Sequence, residues 1–310
     1  MDTIKCELFL AAVDRGSLTA AGEAFGYTQS GVTRIINSLE KELGFPLFIR
    51  SKKGVVLTEN GKAMLPALRD LVRANQLAEQ MSADIKGIAA GTLTIGCYYS
   101  ISVTFMPAIL KKFEKLYPRI KINLLKGGNR EMVQWLREAS VDCCFCADLL
   151  KQVWCDWLPL FQDEMVVLLP EDHPRANQSG FPLRELERES IIMTFPGHDT
   201  DQDRLLAGAG LAPNVCFSTQ DCYSTYKMVE AGLGISFEQR MTSRDWHGAV
   251  REVSFDPPQY ISLGIAVPSM RDASPAAKKF IACATDILQE SGVIRPQAAQ
   301  DRSSGSSRPR

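Results

Sequence analysis

The chain has 310 residues, 45% of them hydrophobic and 23% charged, with a formal net charge of −1. That balance describes a soluble globular protein long enough for two or more domains, and it carries no whole-chain nucleic-acid signal, so any such signal has to be local. The nine cysteines are odd in number and irregularly spaced. This excludes a secreted disulfide framework, and the absence of a signal-like or bilayer-length apolar run leads us to expect a cytoplasmic protein with no membrane partner.

Ile4, Leu8, Phe9 and Ala12 recur at helical spacing over residues 4–13, and Asp14-Arg15-Gly16 ends that helix. Ser17 or Thr19 can cap a short second helix with Ala20, Ala21 and Ala24 on its inner face, where small side chains let another helix cross closely. Gly26 supplies a left-handed turn, and Thr28 caps a third helix whose Val32, Ile35, Ile36 and Leu39 face a core. Gln29, Ser30, Thr33 and Arg34 are left pointing outward, and these side-chain types read base edges and hold phosphates. Residues 47–49 and 55–57 read as two short strands around Arg50-Ser51-Lys52-Lys53-Gly54. Such a basic hairpin tip is a wing that would meet phosphate or the minor groove. The candidate DNA contacts are therefore Thr28, Gln29, Ser30, Thr33, Arg34, Arg50, Ser51, Lys52 and Lys53.

Thr58 caps a long helix running to about Ile88. Met64, Leu68, Leu71, Asn75 and Ala78 follow the four-three alternation of a coiled-coil seam, and Pro66 should bend the helix in its second turn. Gly87 to Gly91 is a hinge. Beyond it strands and helices alternate: a strand at 93–96, a helix capped by Ser100 or Ser102 that carries Phe105, Ile109, Phe113 and Leu116, a strand at 120–125, and a helix opening at Gly127-Gly128-Asn129. A strand at 141–145 completes this half. A second lobe begins near Met165 and includes Ile191-Ile192-Met193, residues 215–218 and helices near 202–209 and 223–231. The alternation argues for parallel sheets. Ser274-Pro275 starts a last helix with Phe280, Ala284, Ile287 and Leu288 buried, and Gly292 stops it.

At Phe9, Gly16-Ser17-Leu18-Thr19-Ala20-Ala21, Thr28-Gln29-Ser30, Val32-Thr33-Arg34-Ile35, Leu39-Glu40, Leu43-Gly44, Pro46-Leu47-Phe48, Arg50 and Leu57-Thr58 the chain resembles the LysR-type transcriptional regulators, and the likeness continues more weakly to about residue 292. Gly31 departs from the pattern, since the family has a residue with a Cβ there. The fold then expected is α+β multidomain. A winged helix-turn-helix spans 1–58 and a long linker and dimerisation helix 59–88. A two-lobed α/β effector domain resembling periplasmic binding proteins spans 89–295, with lobe I about 92–162 and 266–295 and lobe II about 163–265. Residues 296–310 form a disordered tail. The resemblance implies a cytoplasmic regulator that binds promoter DNA as a dimer or homotetramer and responds to a small-molecule effector between the lobes. Contacts with RNA polymerase are expected as well, and neither a cofactor, a metal nor an enzymatic activity is.

Helices that follow parallel strands point their N-termini at the cleft, which offers N–H groups to an anion, and an anionic effector with an apolar body is expected. Candidate effector residues are Ser100, Ile101, Ser102, Gly128, Asn129, Phe195, Pro196, His198 and Thr219. The family implies that the places of Ser100, Gly128, Phe195 and Thr219 line the site. For the serines and threonine, a plain capping role is the alternative. Cys143-Cys144-Phe145-Cys146 reads as a buried strand rather than a metal or redox site. Cys216 and Cys222 leave a redox-responsive regulator as an alternative. His173, His198 and His247 have no ligand spacing, and no nucleophile motif accompanies them. A cytoplasmic small-molecule-binding protein is the other alternative, and it would leave residues 1–88 without a role.

Overall fold

The computed structural model describes residues 1–51, 54–148 and 154–294. Lys52, Lys53 and the expected tail at 296–310 lie outside the described residues. The chain divides into two units, Met1–Gly91 with Glu138–Ser140 and the remainder.

In the first unit each helix end has a local cause. α1 (Thr3–Arg15) starts on Asp2, whose carboxylate accepts the Ile4 N–H, and stops at Gly16 with φ 62°. α2 (Leu18–Phe25) is capped by Ser17, whose hydroxyl accepts the Ala20 N–H at 3.3 Å. α3 (Gln29–Leu43) is capped by Thr28 through the Gly31 N–H at 3.2 Å. The inner face of α2 differs from the alanine face expected. Leu18, Ala21 and Gly22 are buried, Ala20 is half-buried and Ala24 is exposed. The close approach falls at Gly22, where an added Cβ would lie 2.6 Å from the Tyr27 carbonyl oxygen and 3.1 Å from Val32. β1 (Phe48–Ser51) and β2 (Gly54–Leu57) pair antiparallel. Gly16 O accepts the Val55 N–H at 3.0 Å, which ties this wing to the end of α1.

α4 (Glu59–Ile85) begins on Thr58, whose hydroxyl accepts the Gly61 N–H at 2.9 Å, and runs through Pro66 as one helix. Leu68 and Val72 are buried in the core of this unit with Leu8, Phe9, Val32, Ile36, Leu39 and Leu47. Leu68 therefore does not lie on an outward seam, as its spacing had suggested. Each such buried side chain contributes roughly 1.5–3 kcal/mol.

The second unit is built on β3 (Ala90–Cys97), α5 (Tyr99–Thr104), α6 (Met106–Leu116), β4 (Arg119–Lys126), α7 (Asn129–Arg137) and β5 (Cys143–Ala147), followed by β6 (Asp156–Pro170) and β7 (Phe181–Pro182). A 3-10 turn (Leu183–Glu187), β8 (Ser190–Thr194), α8 (Asp201–Ala209), β9 (Asn214–Thr219), α9 (Cys222–Glu230), β10 (Ser236–Gln239), α10 (Arg240–Ser243), β11 (Val250–Val267) and α11 (Pro275–Glu290) complete it. The single helix expected from a cap at Ser100 or Ser102 through Leu116 is two, broken at Phe105 with Pro107 in the first turn of α6, and Leu116 is exposed. Neither Ser100 nor Ser102 caps α5, because Tyr98 holds the cap position and makes no side-chain cap bond.

The main sheet runs β10-β6-β11-β5-β3-β4, with β7 beside β11, and β8-β9 form a second sheet. β3 and β5 are parallel, as are β8 and β9. The all-parallel expectation fails at β6 and β11, which pair antiparallel over most of their length. A strand of 15 residues reaches about 50 Å. Each therefore serves both lobes, crossing from one to the other near the Asp163–Ile261 pair. Phe280, Ala284 and Leu288 of α11 bury against lobe I, and Ser274 caps that helix through Ala277 N at 3.2 Å.

Candidate functional site

The first site is the outer face of α3. Thr28, Gln29, Ser30 and Arg34 are exposed and Thr33 is half-buried. The Thr28 hydroxyl, besides capping, lies 3.2 Å from the Ser30 hydroxyl. Gly31 fits this cap, since a Cβ there would sit 3.2 Å from Thr28 Oγ1. Arg50 is exposed but engaged. Its guanidinium donates to Asn37 Oδ1 at 2.5 Å and stands 3.5 Å from Glu40, whose other oxygen accepts the Leu47 and Phe48 N–H groups. Sequence reasoning missed this clamp, which fixes the wing base to α3. Ser51 donates to Gly54 O at 3.3 Å across the hairpin. The face presents hydroxyls, an amide and a guanidinium, the donors and acceptors that suit phosphates and base edges.

The second site is a cavity of about 340 Å³ between the lobes. Lobe I supplies Tyr98, Tyr99 and Ser100 from the start of α5, and Lys126 to Asn129 with Glu131 from the turn into α7. Lobe II supplies Phe195, His198 and Asp201 from the turn into α8, Asp221 and Cys222 from the start of α9, and Glu238 and Gln239 from the end of β10. The lobes are bonded across it. Ser100 Oγ donates to Gln239 Oε1 at 2.9 Å, Asn129 Nδ2 donates to Asp199 O at 2.6 Å, and Arg130 donates to Gly197 O at 3.0 Å. Gln239 in turn donates to Asp201 at 2.5 Å. Phe195 adopts φ 50°, a conformation costing a bulky residue roughly 1–2 kcal/mol, and is held there by its N–H bond to Thr219 O at 2.9 Å.

Of the effector residues expected, Ser100, Gly128, Asn129, Phe195 and His198 line the cavity. Four others do not. Ile101 is packed inside lobe I. Ser102 turns back to donate to Tyr99 O at 2.8 Å, and Pro196 is exposed outside the lining. Thr219 gives its hydroxyl to Asp221 O at 3.0 Å and lies 2.6 Å from the Thr225 hydroxyl, so only its carbonyl supports the site, through Phe195.

Electrostatics also depart from expectation. Glu131, Asp201, Asp221 and Glu238 face one lysine, Lys126, which stands 5.4 Å over the Tyr99 ring. The Gly128 N–H at the start of α7 is already taken by Glu131 Oε2 at 2.9 Å, so it does not await an anion. Burial pushes the Glu238 carboxyl well above the usual carboxylate range, with Glu252 adding to the shift. Burial raises Asp201 too, against the bond from Gln239. The Cys222 thiol is pushed up to about 12 by burial. Burial likewise lifts Cys143, Cys144 and Cys146 far above the ordinary thiol value, so they stay protonated and unreactive. Among the described residues no cluster of His, Cys, Asp and Glu could hold a metal, and no helix is long and apolar enough to cross a membrane.

Comparison with known proteins places this geometry. The model of bacterial regulatory helix-turn-helix proteins of the lysR family matches residues 5–62, and that of the LysR substrate binding domain matches residues 86–289. The HTH-type transcriptional regulator YvbU of Bacillus subtilis (strain 168) is 30% identical over 293 residues, 93% of this chain and 99% of that one. CysL of the same organism, also an HTH-type transcriptional regulator, is 26% identical over 241 residues, covering 76% of this chain and 80% of its own. The fold is shared with full-length OxyR from Pseudomonas aeruginosa at a TM-score of 0.72 and 22% identity, covering 100% of this chain and 99% of that one. It is shared with full-length CbnR in complex with its target DNA at a TM-score of 0.65 and 16% identity, covering 93% and 100%. With both domain models matched in order and a relative aligned over almost its whole length, the chain belongs to the LysR family of helix-turn-helix transcriptional regulators.

Proposed function

We propose that the chain binds promoter DNA through the outer face of α3 and the wing, and that a small molecule in the cavity between the lobes controls that binding. The observation that carries the DNA half is the capped α3 with Gln29, Ser30 and Arg34 exposed on one face. The relative CbnR is seen on its target DNA, which supports the same use here. One helix-turn-helix reads one half-site, so the reading requires at least a dimer, with a tetramer the larger form. The apolar stripe that suits this contact is Ala74, Ala78, Met81 and Ile85, at four-three spacing on α4. Met81 and Ile85 are 50% and 85% exposed. It replaces the stripe through Leu68. Cytoplasmic location and contact with RNA polymerase belong to the same proposal.

The cavity supports the effector half by its size, its position between two lobes and its mixed apolar and polar lining. The test has two parts. Duplexes selected from a random pool on the full chain are titrated by fluorescence anisotropy at several salt concentrations. Specific binding that weakens steeply with salt is expected, and no binding at low salt would sink the DNA half. A thermal-shift screen of small metabolites then probes the cavity, since a ligand that binds only the folded state raises its melting temperature. A panel in which no compound shifts the protein would count against the effector half.

A further inference from the structure

Glu238 stands apart in the cavity. It is 9% exposed, closes the lobe II wall, and its Oε1 has no hydrogen-bond partner. The nearest cation in sequence is committed elsewhere, because Arg240 pairs with Glu164 at 3.2 Å, faces Glu252 at 3.8 Å and donates to Ser254 at 3.0 Å. Lys126 on the opposite lobe sits over the Tyr99 ring and is the only cationic side chain other than histidine in the lining. A buried carboxyl oxygen without a donor is costly, and native proteins retain few. Here the orphan oxygen is itself covered, but it belongs to a residue that lines the cavity, whose lining also includes the Tyr99 and Phe195 rings and Met165 as apolar walls.

Resting on the reading of this cavity as the effector site, we propose that Glu238 is the specificity residue for an amine. The effector is a small primary ammonium compound with an apolar or aromatic body, whose N–H group completes Glu238 Oε1. Either form of the carboxyl can accept that hydrogen, whereas a ligand carboxylate would meet Glu131, Asp201 and Asp221 with only Lys126 to offset them. The ammonium also favours the ionised carboxylate, and hydrogen bonds between ionised partners are the stronger kind. The cavity volume of about 340 Å³ accommodates a ring and a short chain.

Two probes of the same shape and opposite charge decide it: 2-phenylethylamine and 3-phenylpropionate, titrated into the full chain by calorimetry with melting temperature as the second readout. The amine is expected to bind and raise the melting temperature, and the carboxylate is not. Glu238→Gln should weaken the amine on the order of tenfold or more while the free protein melts no lower than wild type. Glu238→Asp, which keeps the charge and withdraws it from the ligand, should weaken the amine as well and covers a failure of the first variant to fold. Carboxylate binding in place of amine binding would overturn the amine and leave the cavity reading standing. Equal amine affinity in wild type and both variants would do the same. If neither probe binds, the amine proposal falls, and the metabolite screen decides the cavity separately.

Discussion

Arg34 and Arg50 are both arginines on the face proposed to bind DNA, yet they should behave differently when removed. Among the described residues Arg34 makes no ion pair, so Arg34→Ala is expected to cost about 1–3 kcal/mol of DNA affinity with the fold intact, measured by anisotropy and by circular dichroism. Arg50 holds Asn37 and Glu40, so Arg50→Ala should also loosen the wing. At Gly22 a Cβ would meet a backbone oxygen rather than a yielding side chain. Gly22→Ala should therefore destabilise the first unit by roughly 1–3 kcal/mol in urea denaturation. Glu238 carries a pH signature. Below the ordinary glutamate range it is protonated in both folded and unfolded chains. As pH rises through that range the unfolded chain releases its proton first, so stability falls until the raised folded value is passed. Glu238→Gln should gain over wild type at neutral pH, and the gain should vanish on acidification. A melting-temperature difference that is flat in pH would contradict this. Residues such as Thr28, Thr58 and Ser274 were legible in the sequence because a cap is decided within three residues. Glu238, Gln239 and Asp201 were not, because burial of a polar group depends on what folds over it. The one available signal was an acid and an amide ending the apolar strand Ile235-Ser236-Phe237.

Elements were legible where one face is buried locally, and less so where partners are distant. The helix-turn-helix and wing follow from caps, glycines and short apolar periods. In α4 two four-three stripes coexist, and spacing alone does not say which one meets the domain core and which is left outside. The structure assigns Leu68 and Val72 inward and Met81 and Ile85 outward. Met81→Asp with Ile85→Asp should therefore lower the assembled mass in light scattering without unfolding the chain. Leu68→Asp should instead unfold the first unit, since it places a charge in a fully buried site. An unchanged mass in the double variant would move the interface away from α4. The lengths of β6 and β11 were missed for a related reason. In β6 only the apolar run from Met165 was legible, because Pro159 and Gln162-Asp163-Glu164 interrupt the first half, and in β11 Asp256-Pro257-Pro258 breaks the apolar pattern of one strand that crosses between lobes. The Cys143 to Cys146 stretch was legible as a strand because it is buried on both faces, between β3 and β11.

At the scale of the whole effector-binding unit, two long antiparallel strands join the lobes, and side chains fasten them again on the opposite side of the cavity. Ser100→Ala removes one of these fasteners and leaves Gln239 Oε1 without its donor. It is expected to cost about 1–3 kcal/mol of stability by denaturation. An unperturbed stability would mean that the lobes do not rely on that bond. The fastening has a further consequence, for time rather than affinity. Contacts from Ser100, Asn129 and Arg130 tie the lobes to each other across the cavity, so a ligand that needs them further apart must wait for those contacts to break. Entry should then be far slower than diffusion, and the observed rate should level off as ligand is raised, because the pace is set by the protein's own opening. A cell using such a regulator would register how long a metabolite persists and filter out brief surges.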